Sequence, residues 1–289
     1  MAATRTVSQN APPLTLQNTA LLSSARSDFS LAETRTVAGE TSAPEFAPSF
    51  MPRSYFDALF AAYGPQHWWP GRTRFEIMVG AILTQNTSWG NVERAIRNLR
   101  GARMLSPQAI RRVRATRLAQ LLRPSGYFRQ KTKTLKSFVN FLFDTYGGSL
   151  SRLFATPTTV LRDRLLELGG VGPETADCIL LYAGKHPVFV VDAYTRRILE
   201  RHGHTHRKLA YDEIRKMFES ALPAEHQLFN EFHALIVHVG KNFCHKTSPF
   251  CSHCPLNPFL PVTVDPGTTG DFLPAGSRVT SQQSPVARP

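Results

Sequence analysis

Leu168-Gly169-Gly170-Val171-Gly172-Pro173-Glu174-Thr175-Ala176-Asp177 is followed, twenty residues after Gly172, by the aspartate of Val190-Val191-Asp192. Apolar residues at helical spacing run up to this stretch from Val160 to Leu168 and away from it from Thr175 to Ala183. The three glycines permit the positive φ of a tight turn, and Pro173 suits the first position of a new helix. The pattern is helix, short hairpin, helix. A glycine turn feeding a helix N-terminus leaves backbone N–H groups unpaired, and such groups bind phosphate. Asp192 stands directly before the run Ala193-Tyr194-Thr195-Arg196-Arg197-Ile198-Leu199, where it also suits a helix N-cap.

The charge of the chain agrees with a phosphate-rich partner. The 289 residues carry a formal net charge of +13, and 42% of them are hydrophobic, which supports a packed core. The excess lies in the middle. Residues 1–50 hold three Arg against four acids, whereas Arg94 to Phe143 holds thirteen Lys or Arg and no acid. A solvated helix face normally mixes signs, so charge of one sign at this density points to a polyanion.

The Leu-x-Gly-Val-Gly hairpin, the following Thr175-Ala176 and the Val-Asp about twenty residues on resemble the endonuclease III superfamily of DNA glycosylases, the helix-hairpin-helix group. The resemblance covers about residues 51–260. It implies an all-α fold and base-excision repair chemistry on double-stranded DNA containing a damaged base. It implies that Gly170, Val171 and Gly172 bind DNA and that Asp192 is the catalytic carboxylate. A six-helix barrel over 72–186 would carry the hairpin. The N-terminal helix and Trp loop (51–71) would join 187–262 in a second helical domain, with Asp192 at the cleft.

Further matches lie upstream. Phe75 to Leu83 is an apolar helix running into Thr84-Gln85-Asn86-Thr87-Ser88-Trp89. It resembles the family's Leu-x-x-Gln segment, whose glutamine enters the duplex where the target nucleotide leaves. This makes Gln85 and Asn86 DNA-binding candidates, although a polar helix end would look the same. The Gly126-Tyr127 turn before Lys131 is similar to the family's Gly-aromatic turn and Lys-bearing helix, which assigns Lys131 to DNA. Trp68 and Trp69 share a Pro/Gly loop. With Trp89 they are candidates for the walls of a base pocket, since flat rings stack on an extruded base and attract a cationic one. Buried anchoring aromatics remain the plainer reading of this loop.

Glu174 carries the mechanistic information. In the superfamily's bifunctional members a lysine follows the hairpin's last glycine by two residues and forms a Schiff base with the sugar. Here that position is glutamate, which cannot form an imine. The resemblance then implies a monofunctional enzyme with water as nucleophile, similar to the 3-methyladenine DNA glycosylase III branch. Glu174 either assists catalysis electrostatically or simply faces solvent in the first turn of its helix.

Cys244, Cys251 and Cys254 have the spacing C-x6-C-x2-C, at which many superfamily members continue with a fourth cysteine and hold a [4Fe–4S] cluster. The fourth position here is Leu260. A cluster completed by His253, Asn257 or a non-protein ligand, a zinc site and an empty loop all remain open. Four cysteines do not make a secreted disulfide framework, and no apolar run reaches transmembrane length. An intracellular monomer acting on DNA, with no membrane association, is expected. The Ala/Ser/Thr/Pro-rich residues 1–50 and the tail 263–289 are expected to be disordered.

Overall fold

The computed structural model describes residues 50–66, 68, 71–206 and 208–261. Both expected disordered tails lie outside these residues, except for Phe50. The described residues are helical, with no strand among them. The apolar helix of the Gln85 segment is α2, Arg74–Leu83, capped by Thr73, whose Oγ1 accepts from the Glu76 N–H at 3.1 Å. Trp89 opens the next helix, α3, Trp89–Gly101. The N-terminal helix, α1, is Pro52–Tyr63, with proline at its start and Gly64 at φ +63° at its end.

Residues 107–122, whose apolar residues recur at helical spacing, form two helices: α4, Pro107–Arg112, and α5, Ala115–Leu122. Val113 and Arg114 between them are extended, with ψ of 142° and 140°. Periodicity alone does not reveal the break, because both pieces bury residues on the same side, Ile110 and Leu118. Lys136 supports it by donating its ammonium to the carbonyls of Arg111 and Val113, orphaned at the end of α4. Lys136 belongs to α6, Phe128–Tyr146, which ends as expected at Gly147 in the left-handed region.

Two short helices follow, α7 (Leu150–Phe154) and α8 (Thr158–Leu166), and lead into the hairpin. Gly170 sits at φ +89°, and a Cβ placed there would lie 2.1 Å from Thr134 Oγ1. Only glycine fits both the backbone and the contact. Thr134 in turn donates to the Gly169 carbonyl at 3.2 Å, which ties the turn to α6. The second hairpin helix, α9, is Pro173–Cys178 and continues as a π-helical segment, Ile179–Gly184, through the core. Ile179 and Leu180 there are fully buried.

Beyond this segment Val188–Val191 is buried and extended without a sheet partner. Its N–H groups need acceptors inside the protein. The helix α11, Tyr211–Glu219, supplies two: the Phe189 N–H donates to Glu219 Oε1 at 2.9 Å and the Val191 N–H to Tyr211 Oη at 3.2 Å, while the Val188 N–H donates to the His186 carbonyl at 2.9 Å. An ionic network holds α11 to the hairpin. Asp177, fully buried, accepts from Arg162 Nε at 2.7 Å and Nη2 at 3.2 Å. Arg162 also reaches Asp212 at 2.7 Å, and Arg215 joins Asp212 at 3.0 Å and Glu219 at 2.6 Å. The result fixes where the chain delivers Asp192, the N-cap of α10, Ala193–Arg201. The last helix, α12 (His226–Asn242), packs against α10 and α1.

Candidate active site

An open cleft of about 710 Å³ gathers Trp68, Gln85, Asn86, Trp89, Glu174 and Asp192, six residues singled out from the sequence. Trp69 lies outside the described residues. Thr84, Cys178, Tyr194, His233, Val237 and Lys241 complete much of the wall. The size and mixed lining suit a single flipped nucleoside better than a flat macromolecular contact.

Asp192 is turned toward this cleft with its side chain 13% exposed. Its Oδ1 accepts from the Thr195 N–H at 2.8 Å and the Thr195 hydroxyl at 2.9 Å, so the capping role is real. Its Oδ2 remains directed at the interior, 3.6 Å from His233 Nε2. Capping therefore engages one oxygen of the carboxylate and leaves the other beside His233.

Glu174 is exposed, yet it opens onto the concave cleft. Loss of solvation there pushes its carboxyl up to about 7, the Asp192 charge adds to the rise, and Arg196 opposes it. Two carboxyl groups thus share one cleft in different environments.

Gln85 connects the cleft to the hairpin. Its amide Nε2 donates to the Gly170 carbonyl at 2.9 Å and to Thr175 Oγ1 at 2.8 Å. Gly169, Gly170 and Gly172 are exposed, whereas Val171 is buried and its N–H donates to the Leu168 carbonyl at 2.9 Å. The Trp89 indole N–H donates to Glu93 at 2.8 Å.

Lys131 departs from the expectation. It is buried, and its ammonium donates to the Leu83 carbonyl at 2.9 Å and the Ser125 carbonyl at 2.6 Å. It closes the C-terminal end of α2 and the turn before α6 rather than facing a phosphate. Burial holds its pKa below the usual lysine value. Of the other twelve basic residues between Arg94 and Phe143, Lys136 is half-buried and eleven are exposed. The basic surface is thus present without Lys131.

His233 was not singled out as functional, because a histidine amid the apolar residues of a helix gives no signal of its neighbour forty-one positions earlier. The structure puts it beside Asp192, with Tyr182 Oη in hydrogen-bond contact with its other ring nitrogen, Nδ1. Lys241 likewise reaches the cleft wall from the end of α12.

The cysteine loop forms a separate small pocket, lined by Cys244, Cys251, Cys254, Arg201, Asn257 and Leu260 among others. Arg201 donates to Cys244 Sγ at 2.8 Å, and Arg197 to the Cys244 carbonyl at 2.7 Å. Asn257 spends its amide on the Cys251 carbonyl, and His253 is exposed and engaged with Ser252. Leu260, at the fourth position, has no donor atom. No group of three His, Cys, Asp or Glu among the described residues is arranged to hold a metal ion. These residues do not fit a four-thiolate cluster.

The family model of the HhH-GPD superfamily base excision DNA repair protein matches residues 79–224, which include the hairpin, Asp192 and part of the cleft wall. The chain belongs to the HhH-GPD superfamily. It is 46% identical over 205 residues to "Putative DNA repair glycosylase MJ1434" of Methanocaldococcus jannaschii, a match covering 71% of this chain and 93% of the relative. Among solved structures, the H. pylori 3-methyladenine DNA glycosylase MagIII bound to 1,N6-ethenoadenine is 28% identical, with a TM-score of 0.58, over 66% of this chain and 98% of that one. A non-covalent endonuclease III–DNA complex shares the fold, with a TM-score of 0.62 and 24% identity over 72% and 92% of the two chains. This HhH-GPD protein is a DNA N-glycosylase of base excision repair. Among its described residues no helix is long and apolar enough to cross a membrane.

Proposed function

We propose that the protein is a monofunctional glycosylase, acting as a monomer, that hydrolyses the N-glycosidic bond of alkylated purines in double-stranded DNA. The observation carrying this reading is the cleft itself. Asp192 and Glu174 face it together, tryptophans wall it, and the hairpin position of the Schiff-base lysine holds Glu174. The bound ethenoadenine of the H. pylori 3-methyladenine glycosylase supports the choice of alkylated purine. In this reading, 72–186 is the barrel and 187–262 with α1 is the second domain.

The extruded base stacks against the indoles of Trp68 and Trp89. As the C1′–N bond stretches, its electron pair moves onto the base and positive charge grows on the sugar. Ionised Asp192 stabilises that charge and orients the water whose oxygen bonds to C1′. A base alkylated to a cation leaves as a neutral molecule and needs no proton. A neutral adduct needs one, and Glu174, protonated up to about pH 7, is placed to give it.

Two duplexes test the function, one carrying 3-methyladenine and one thymine glycol. Free 3-methyladenine, with strand breaks only after alkali, is the expected result. Direct nicking of the thymine-glycol duplex with a borohydride-trapped adduct would overturn it. It would favour the second reading, a glycosylase/lyase, for which Lys241 on the cleft wall is the amine to test.

The pH dependence separates the two carboxyls. Excision of neutral 1,N6-ethenoadenine falls as pH rises through about 7, because Glu174 loses its proton there. Excision of cationic 3-methyladenine stays flat over the same range. Glu174→Gln lowers the first rate about 100-fold and removes its alkaline limb. It changes the second less than about threefold. Equal loss on both bases would remove Glu174 from proton transfer.

We further infer that the cysteine loop is held by packing and by Arg197 and Arg201 rather than by iron. Protein purified without oxygen is expected to carry iron far below one atom per chain and no visible charge-transfer band. About four irons per chain would refute this.

A further inference from the structure

Of the twelve buried polar or charged residues among the described residues, His233 is one that faces the cleft, and its Nε2 has no hydrogen-bond partner there. A buried imidazole with a bare nitrogen costs stability unless that atom has a use. The ring's other nitrogen, Nδ1, is in contact with Tyr182 Oη. Its Nε2 lies 3.6 Å from Asp192 Oδ2, the oxygen that Thr195 leaves unbonded.

Chemistry decides the direction of these contacts. Burial raises the Tyr182 phenol well above its ordinary value, with the Cys178 thiol and the charges of Asp192 and Glu174 adding to the rise, so Tyr182 keeps its proton. Burial lowers the His233 imidazole, which Asp192 opposes. A neutral ring has one donor and one acceptor nitrogen. The Asp192 carboxylate beside Nε2 accepts only, so the tautomer that suits both neighbours carries the ring proton on Nε2, facing Oδ2, and takes the Tyr182 hydroxyl proton at Nδ1.

We propose that Tyr182 and His233 are a positioning pair for Asp192. The tyrosine sets the imidazole tautomer, and the Nε2–H holds Oδ2 while Thr195 holds Oδ1. The carboxylate is then gripped from both sides and presents one orientation to the sugar. The gap of 3.6 Å exceeds a hydrogen bond, and it closes when the nucleoside fills the cleft, as catalytic hydrogen bonds commonly tighten on binding. His233 touches no reacting atom; it acts through Asp192. The proposal rests on Asp192 being the carboxylate of the glycosylase reaction.

The first test needs no substrate. Ring ¹⁵N shifts of His233 are expected to show protonated Nε2 and bare Nδ1 in the wild type. In Tyr182→Phe, which removes a single oxygen, the tautomers should mix. A wild-type ring protonated at Nδ1 would overturn the pair. The second test is single-turnover excision of 3-methyladenine at saturating protein. His233→Leu should lower the rate about 30-fold with DNA affinity unchanged, within the range by which residues holding a reactive group act. His233→Gln, whose amide can donate to Oδ2, should recover most of that loss, and Tyr182→Phe should fall between. A folded His233→Leu at the wild-type rate, or His233→Gln as slow as His233→Leu, would also overturn it. Asp192→Asn run alongside keeps the two proposals apart. If it is active, the role of Asp192 itself is wrong. If it is inactive while His233→Leu is fully active, only the positioning pair is.

Discussion

Asp192→Asn is expected to reduce single-turnover excision by about 1,000-fold or more, equivalent to about 4 kcal/mol of transition-state stabilisation, and to leave affinity for lesion DNA within about twofold. Asparagine is isosteric, and its amide oxygen can still accept from the Thr195 N–H and hydroxyl as Oδ1 does now. It ranks beside aspartate as an N-cap, so α10 should keep its start and the fold its stability. The substitution therefore removes the charge and, on the proposed pairing, turns the acceptor that faces His233 into an amide donor. That charge faces the cleft, where positive charge would appear on the sugar. Rapid-quench excision and equilibrium binding on the same duplex measure the two quantities. A rate within about tenfold of wild type would mean that the charge is not what drives bond cleavage.

Arg162→Met is expected to cost about 3–5 kcal/mol of stability, seen as a lower urea midpoint at unchanged slope. The partner left behind is Asp177, fully buried and held by two of the arginine's nitrogens. Burial already pushes the Asp177 carboxyl up despite its arginine. Without Arg162 the charged form becomes costlier still. Lowering the pH should protonate it and return part of the loss. Arg162→Met combined with Asp177→Leu should recover much of the rest, because no buried charge then remains unpaired. A double variant no more stable than Arg162→Met would show that the arginine stabilises through Asp212 and α11 instead. Either way the cost should extend to function, since the same network steadies α11, which satisfies the backbone of Val188–Val191 and so sets Asp192.

Local signals carried the sequence analysis where the physics is local. The hairpin was legible because Gly170 must be glycine, and Pro173 and Asp192 announce helix starts within a few residues of themselves. The helices were legible from periodicity. The break at Val113–Arg114 was not, because its support comes from Lys136, more than twenty residues away.

Lys131 shows the same limit in a site residue. Its turn and helix resemble the family's Lys-bearing segment, which pointed to DNA, but a lysine's partner depends on which way its helix faces, and this one turns inward to two carbonyls. His233 errs in the other direction. Nothing around it in the chain marks it, and only the packing of α12 against α10 brings it to Asp192.

The sequence by itself determined the hairpin, the basic run, glutamate at position 174 and Asp192 as a helix start, since each is written in residue type and short spacing, and its resemblance to the endonuclease III superfamily supplied the all-α architecture. Tertiary structure alone decided the rest. It brought Glu174 and Asp192 into one cleft, where lost solvation and a neighbouring charge raise the glutamate to about 7. It turned Lys131 inward to two carbonyls. Protonation state, tautomer and ligand geometry depend on groups distant in the chain and close in space, and spacing along a sequence does not encode that distance.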